Sequence, residues 1–442
     1  MDQLTLERPV ASKTPALNQG QQEAADAFFQ FLFSNEKEFG ISGPGGYGKT
    51  HLMGFLIDVV MPRYFETCQL MGVKPEYDEV VMTATTNKAA EQLSQATNRT
   101  CDTIHSFLNL KVADDFSTGK SNLTRTKSWK VHERKIVFVD ECSMIDTALY
   151  RNIHEATKDC KIVYVGDHCQ LAPVMETLSP VYRQGIHFYN LTQPMRNVGQ
   201  PALMALCQQI RNTVETGNFY PIQIVPGVID LMDDDEIQIE IERQFKQQTM
   251  ASRILAYTNK QVIAFNDHIR GLRQLPDHYT VGEKLVSSTA AHLKGGMLTV
   301  EQEVEIKALA DQSQFVPIEE GVSLEICPAV LETSIGEQHF EVPLPVDRNH
   351  FTALVKHYQQ QRRWERYFFL KNNFPDLRPH DASTVYKAQG STYDTVFIDL
   401  GNISTCNNPN QVARMLYVAV SRPRNRIILY GNLAEKYGGL AL

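Results

Sequence analysis

Neither of the common signatures of a metal site or a crosslinked fold is present. The eight cysteines stand at positions 68, 101, 142, 160, 169, 207, 327 and 406 with no C-x-x-C pair, and the thirteen histidines form no H-E-x-x-H. A zinc site and a disulfide framework are therefore not expected, and the thiols read as reduced, mostly buried side chains of a cytoplasmic protein. No run of about 18 apolar residues occurs, and no apolar core follows Asp2 and Glu7, so neither a membrane span nor a secretory leader is expected. A net positive charge is missing too: 43 Lys and Arg face 51 Asp and Glu, for a formal charge of -8. A polyanionic partner must then be met by a local basic surface, because the chain as a whole repels it weakly. No internal repeat or low-complexity tract is evident. What remains is 442 residues, 43% hydrophobic and 21% charged, enough for roughly two to four packed domains.

Against that background, Gly43-Pro44-Gly45-Gly46-Tyr47-Gly48-Lys49-Thr50 fits the phosphate-binding pattern G-x-x-x-x-G-K-[ST] in full. A short buried strand before it and a helix over residues 51–60 after it supply the context the pattern requires. A chance match in a Gly-rich turn is expected on the order of 1% of the time, so nucleotide binding is the stronger reading. The glycines let backbone N–H groups face phosphate oxygens, Lys49 brings charge to the β and γ phosphates, and Thr50 holds Mg²⁺ by its hydroxyl. Upstream, a capping pattern over residues 17–24 starts a helix with Ala24, Phe28, Phe31 and Leu32 at helical spacing. Gln21 on that helix either offers its amide to an adenine edge or is simply an exposed helix residue, and the sequence favours neither.

Lys135-Ile136-Val137-Phe138-Val139-Asp140-Glu141 reads as a buried strand ending in two carboxylates, the expected partner of the phosphate loop. Asp140 is assigned to Mg²⁺ through its water shell, and Glu141 to orienting and deprotonating the attacking water. Paired acids also begin ordinary turns, but the complete loop upstream favours catalysis. Residues 161–167 repeat the strand-then-acid form, and Gln170 is placed to hydrogen-bond a γ phosphate. A further strand over residues 80–84 runs into Thr85-Thr86-Asn87-Lys88-Ala89-Ala90, at the sheet edge where ligands sit; a plain helix cap is the alternative. From residue 109 to 135, seven Lys and Arg meet three acids with Phe116 and Trp129 interleaved, a local charge of +4. The turn Ser117-Thr118-Gly119-Lys120 suggests a hairpin, and basic residues around aromatics suit a single strand held by charge and stacking. A solvated loop is the competing reading.

Asp233-Asp234-Asp235-Glu236 reads as the acidic first turn of a helix rather than a metal site. From about residue 272 to 381 the pattern turns to short β-rich pieces, which suggests a small barrel inserted into a second α/β core. Residues 351–374 look helical and group Arg362, Arg363, Arg366 and Lys371 with Trp364, Tyr367, Phe368 and Phe369. Those aromatics are read as the core of an amphipathic helix in preference to a strand-guiding surface. Strand, helix and strand then follow over residues 395–399, 411–420 and 426–430.

Taken in order, the phosphate loop, residues 84–90, 103–106, Asp140-Glu141-Cys142-Ser143-Met144, residues 166–174, Leu191-Thr192-Gln193-Pro194-Met195-Arg196, residues 383–391 and residues 416–422 resemble the motifs of superfamily 1 helicases. The likeness is to the 5′→3′, RecD-like branch, and within it to the compact phage Dda helicases. It runs from Gln21 to Arg426, resting between residues 195 and 382 mainly on Ile254-Leu255-Ala256-Tyr257-Thr258-Asn259.

The resemblance implies an α/β chain of two RecA-like P-loop domains, with a hairpin insert in the first and an SH3-like β-barrel insert in the second. The first domain would span residues 1–175 with the hairpin at 109–135, the second 176–271 and 381–442, and the barrel with a helical arm 272–380. ATP and Mg²⁺ would lie in the cleft, Arg196 and Arg422 reaching the γ phosphate from the second domain and Gly390 adding to the nucleotide site. Single-stranded DNA would meet Thr85, Asn87, His105, Phe116, Thr258, Asn259, Thr384, Tyr386 and Lys387, with Phe116 as the wedge. Thr85 replaces a frequent Pro and Tyr386 a frequent His of the group, which changes those contacts, since Tyr stacks or donates but does not become cationic. Forked duplex DNA, single-strand-binding proteins and replication or recombination proteins are the implied partners, and a monomer in the cytoplasm of a bacterial host the implied setting. A nucleotide-switched binding module or GTPase is disfavoured because Asn87-Lys88 and Asn259-Lys260 lack the acid of a guanine-reading Asn-Lys-x-Asp. A translocase that displaces proteins with little unwinding stays open.

Overall fold

The computed structural model describes residues 16–173, 176–195, 200–293, 296–333 and 338–441. Its first sheet runs Asp102–Thr103, Glu79–Ala84, Lys135–Asp140, Lys161–Gly166, Glu38–Ser42, Phe188–Asn190 from edge to edge, and every neighbouring pair is parallel. Parallel strands are joined by helices that cover both faces, so their sequences are apolar almost without alternation. Lys161–Gly166 is buried along its whole length. Even Lys161 is inside: its ammonium donates to the carbonyls of Ser34 and Glu36 at 3.0 and 2.6 Å and lies 4.1 Å from the Phe31 ring centre. Burial lowers its pKa to about 8.

The helix after the phosphate loop does not stop near Val60. Lys49–Phe55 passes through a wide turn over Leu56–Val60 into Met61–Leu70. Pro62 has no N–H to give, and the widened turn before it absorbs the missing bond. Residues 110–125 form an antiparallel hairpin, Leu110–Asp115 on Lys120–Arg125. Asp115 closes its turn by accepting from the hydroxyls and backbone N–H groups of Ser117 and Thr118. Trp129, expected to serve a basic aromatic surface, instead packs on the cluster around Leu110, Leu149 and Ile153, with Arg125 4.3 Å from its ring centre.

A second parallel sheet is ordered Ile229–Met232, Pro423–Tyr430, Tyr393–Asp399, Ser252–Ala256, Ala382–Thr384. Between its last two strands in space the chain makes a long excursion. It leaves after the helix Asn259–Leu272 and forms a six-stranded antiparallel sheet from strands between residues 284 and 379. Two helices complete the excursion, Arg348–Gln360 and Trp364–Asn373, where the sequence suggested one continuous helix. The break is at Arg362, whose φ of 56° is left-handed and turns the chain sharply. Phe351, Tyr358, Leu370 and Phe374 are buried with Ile318, Leu324 and Ile326, but of the grouped aromatics only Tyr367 packs on that cluster; Phe369 is exposed, and Phe368 and Trp364 meet the hairpin instead.

Two buried ion pairs pin the crossing points of the excursion. Arg273 Nη1 and Nη2 donate to Asp381 Oδ2 and Oδ1 at 2.8 and 2.7 Å, joining exit to return, and Arg270 pairs with Glu283 beside them. Asp381 is fully buried, so its removal leaves an uncompensated guanidinium. We expect Asp381→Ala to lower unfolding free energy by about 3–5 kcal/mol, read as a fall in denaturant midpoint at unchanged slope. A change below about 1 kcal/mol would show the pair to be solvated and dispensable.

Candidate nucleotide site and strand path

Parallel register brings the motifs together. Ser42 pairs with Gly166 and Val139 with Tyr164, so the strands ending at Ser42, Gly166 and Asp140 all terminate at one sheet edge. There Gly46 and Gly48 adopt φ of 84° and 81°. A Cβ on Gly48 would come within 2.3 Å of Met195 Sδ and 2.5 Å of Gln21 Nε2, so only glycine fits. Lys49 Nζ donates to the carbonyls of Gly43 and Pro44 at 2.7 and 3.2 Å, positions that phosphate oxygens can take over. Gln21 is fully buried rather than an exposed helix residue. Its carbonyl accepts from Asn18 N at 3.1 Å and its amide donates to the Gly48 carbonyl at 3.3 Å, tying the preceding helix to the loop.

Asp140 lies at the sheet edge with its carboxyl pushed up to about 7, by burial first and then by the neighbouring charge of Glu141. Glu141 itself has a left-handed φ of 53°, a backbone state that a non-glycine residue keeps only when its surroundings impose it. Thr85 supplies part of that constraint: it is buried, and its hydroxyl donates to the Glu141 carbonyl at 3.1 Å. Asp140 is half-buried beside a second carboxyl, with Lys49 the cation that opposes the shift, so with the Thr50 hydroxyl at the loop it fits a divalent cation. Bound Mg²⁺ supplies neutralisation of phosphate charge at such a site.

The second sheet reaches across to this edge. Arg422 is buried, donates to the Ser391 carbonyl at 3.2 Å and the Val418 carbonyl at 3.0 Å, and its Nη2 would stand 3.8 Å from a Cβ on Gly45. Asp167 is fully buried and accepts from Arg211 Nη1 at 2.7 Å and from the Tyr417 hydroxyl at 2.6 Å. Burial alone would raise that carboxyl, but Arg211 and then Lys49 outweigh it and hold it below the usual range. Arg414 Nη1 donates to the carbonyls of His168 and Gln170 at 2.5 and 2.6 Å, fixing the loop that carries Gln170. The Gln170 side-chain carbonyl is buried with no hydrogen-bond partner among the described residues, an acceptor left over in the cleft. Between Pro44, Gly45 and Tyr47 on one side and Met204, Cys207 and Arg211 on the other, the remaining cavity is ≈ 30 Å³. That is room for about one water.

Arg196 lies outside the described residues. The chain just before it is on the loop, since Met195 N donates to the Gly46 carbonyl at 2.9 Å. Gly390 has a left-handed φ of 81°, and a Cβ there would meet Gln92 Oε1 at 3.9 Å. Sequence reading did not single out Arg211, Tyr417, Arg414 or Gln389, whose amide lies 3.4 Å from both Glu141 Oε2 and Ser143 Oγ. Arg211 was findable as a charge among Leu206, Ile210 and Val214 on the apolar stripe of the helix Pro201–Thr216.

A larger cavity of ≈ 310 Å³ lies elsewhere, between Asn87, Lys88, Thr103 and Ser106 of the first sheet's edge and residues 299–302 of the inserted sheet. His105 is half-buried close by in sequence, its pKa lowered by burial against the opposing pull of Asp146. Asn259 is exposed at a helix start, while the Thr258 hydroxyl is committed to capping that helix and to Asn402 at 3.1 Å. Thr384 is buried, Tyr386 pairs its hydroxyl with the Gln411 amide, and Lys387 Nζ stands 2.6 Å from Glu301 Oε1. Phe116, half-exposed in the hairpin turn, meets Phe368 edge-on at 5.4 Å between ring centres.

The raised Asp140 carboxyl has a thermodynamic sign. A group whose folded pKa lies above its unfolded value of about 3.9 stabilises below that value, and loses the contribution as pH rises through about 7. Asp140→Asn should therefore melt above the parent protein at pH 8 in EDTA, with the gap closing toward pH 5. A pH-independent gap would mean that Asp140 is ionised throughout.

With this geometry in view, comparisons agree on kinship. The AAA domain family matches residues 16–219, and the UvrD-like helicase C-terminal domain matches residues 380–430. The ATP-dependent DNA helicase Dda of Enterobacteria phage T4 is 21% identical over 451 residues, covering 92% of this chain and 98% of the phage protein. An uncharacterised protein of Acanthamoeba polyphaga mimivirus is 25% identical over 212 residues, 44% of this chain and 42% of its own. The crystal structure of Pif1 helicase from Bacteroides with ADP-AlF3 and ssDNA shares the fold at a TM-score of 0.51 and 15% identity, covering 97% of this chain and 95% of that one. Matches at both ends of the chain, and along nearly all of a phage enzyme, support an ATP-dependent DNA helicase similar to Dda, on a fold that the Pif1 structure shares.

Proposed function

We propose that the enzyme uses Mg²⁺ and ATP to move 5′→3′ along single-stranded DNA and to separate the duplex ahead. The observation that carries this reading is Arg422, which the second sheet holds beside Gly45 of a phosphate loop built on the first. Chemistry at the loop is thereby coupled to the relative position of two bodies, which is what a motor requires. In this reading Lys49 and Thr50 cradle the phosphates and cation, Asp140 holds Mg²⁺, Glu141 activates water, Gln170 senses the γ phosphate, and Arg196 and Arg422 meet charge developing in transfer. A planar cation of that kind is worth about 10³–10⁵ in rate. We assign residues 1–175 to the first motor domain, 176–271 with 381–442 to the second, and 272–380 to an SH3-like insert. The strand runs over Asn87, His105, Asn259, Thr384, Tyr386 and Lys387 across both, with Thr85 and Thr258 supporting from beneath.

Separating a base pair means losing stacking of about 1.4 kcal/mol per step, so the wedge must not yield. We give that task to Phe116. Its hairpin is buttressed by the helix Trp364–Asn373: Phe116 abuts Phe368, the Asn372 amide donates to Asp114 at 2.7 Å, and Gly119 lies so close to Trp364 that a Cβ would approach the ring to 2.4 Å. Kinship with a phage T4 helicase supports a place in phage replication or recombination, acting as a monomer with single-strand-binding and replication proteins in the cytoplasm of a bacterial host.

ATP turnover should be strongly stimulated by single-stranded DNA and be lost in Lys49→Ala, with unwinding of a 5′-tailed but not a 3′-tailed duplex. Turnover indifferent to DNA would defeat the motor reading, and stimulation without unwinding would leave a protein-displacing translocase. Phe116→Ala should reduce unwinding more than DNA-stimulated turnover; equal losses would remove the wedge from Phe116.

A further inference from the structure

Residues 299–302 close one side of the ≈ 310 Å³ cavity and bring Glu301 to it, and Glu303 follows as the first residue of the strand Glu303–Leu309. Each carboxylate meets a lysine of a different motor sheet. Glu303 Oε1 is 3.3 Å from Lys88 Nζ, next to Asn87 at the edge of the first sheet, and 3.9 Å from Arg253 Nη2. Glu301 Oε1 is 2.6 Å from Lys387 Nζ, just past the edge strand Ala382–Thr384 of the second. Two negative groups two residues apart thus bridge the two bodies through the cations that face the strand path.

Their character differs from the braces of the fold. Arg270–Glu283 and Arg273–Asp381 are buried, with side chains at most 9% exposed. Side chains of the Lys88–Glu303 and Lys387–Glu301 pairs are 17–30% exposed, so both lysines keep part of their surface open to solvent, although the Glu301 oxygen that meets Lys387 is itself buried. The Glu301 oxygen that meets Lys387 makes no well-directed hydrogen bond, so charge alone holds that contact. Its backbone is left-handed, φ 62°, and is tied by its N–H to the Ser287 carbonyl at 2.8 Å, which fixes where the carboxylate emerges. Glu91 on the same cavity is crowded by the same charge: its carboxyl is raised by burial and then by Glu303.

We infer that Glu301 and Glu303 are affinity-setting residues for the DNA strand: they occupy Lys387 and Lys88 in the strand-free enzyme and are displaced by backbone phosphates. This rests on the strand path proposed above. A phosphate gains the lysine only by releasing the carboxylate, so the net attraction is smaller than the lysine alone provides, and release after each step is correspondingly faster. A motor that must let go of its track gains from a grip made weak by exchange.

The test is anisotropy of a labelled oligo-dT at fixed salt, with the DNA concentration for half-maximal ATP turnover, on the intact protein, Glu301→Gln, Glu303→Gln and the double variant. The double variant should bind about two- to thirtyfold more tightly, the range that two partly exposed ion pairs supply. Lys88→Ala should weaken binding more in the Glu303→Gln background than in the parent. Unchanged or weaker binding in the double variant, above all with a lower melting temperature, would make the pairs mere braces and overturn the inference. So would an equal gain from Glu320→Gln, an exposed acid of the same sheet, because the effect would then be long-range charge alone. Failure of the parent protein to bind oligo-dT would instead strike the strand path itself.

Discussion

The contact on which the rest depends is the grip of the second sheet on the loop that follows Gly166. Asp167 is held from across the cleft by Arg211 and Tyr417, and the carbonyls on either side of Cys169 by Arg414. All four side chains are buried. A buried carboxylate tolerates its guanidinium partner and little else, because separating the two in a low dielectric leaves both uncompensated. The geometry of Gln170, and so the nucleotide site, is thereby tied to the position of a helix, Pro409–Val420, that belongs to the other body.

Function is concentrated where local rules are broken. Glu141 is left-handed without being glycine, Asp140 is a carboxyl at the end of an apolar strand, and Gln170 buries an acceptor with no partner. Each is unfavourable in isolation, and in the proposed function each lies where a phosphate, a cation or a reacting water would be bound. Elsewhere buried charge is answered within the protein, as at Arg273–Asp381 and at Lys161 among the carbonyls of Ser34 and Glu36. The contrast separates site from scaffold on physical grounds.

The two inserted elements share one surface. The hairpin of the first sheet leans on the helix Trp364–Asn373 of the excursion from the second, through Asp114, Phe116 and Gly119. The same excursion reaches the first sheet at Lys88 and the second at Lys387. In the proposed motor, motion between the two sheets would act on the hairpin and on the lysines together, because one antiparallel sheet and its helices contact both.

The sequence by itself determined the nucleotide chemistry and much of the fold class. The phosphate loop and the apolar strands ending in Asp140-Glu141 and Asp167 are local patterns, written in consecutive residues whose spacing follows from strand and turn geometry. The acidic helix start was legible for the same reason, and the structure shows Asp233 capping it with Glu236 in a capping box. Only tertiary structure decided the rest. Arg211 reads as one more helical arginine until it meets Asp167, 44 residues away in the chain. Trp129 looks like a stacking surface until it is seen half-buried against the cluster around Leu110 and Leu149. Lys88 and Glu303 are 215 residues apart. Periodicity reports which face of an element is apolar; which charge lies opposite which depends on how whole sheets dock, and no local pattern encodes that.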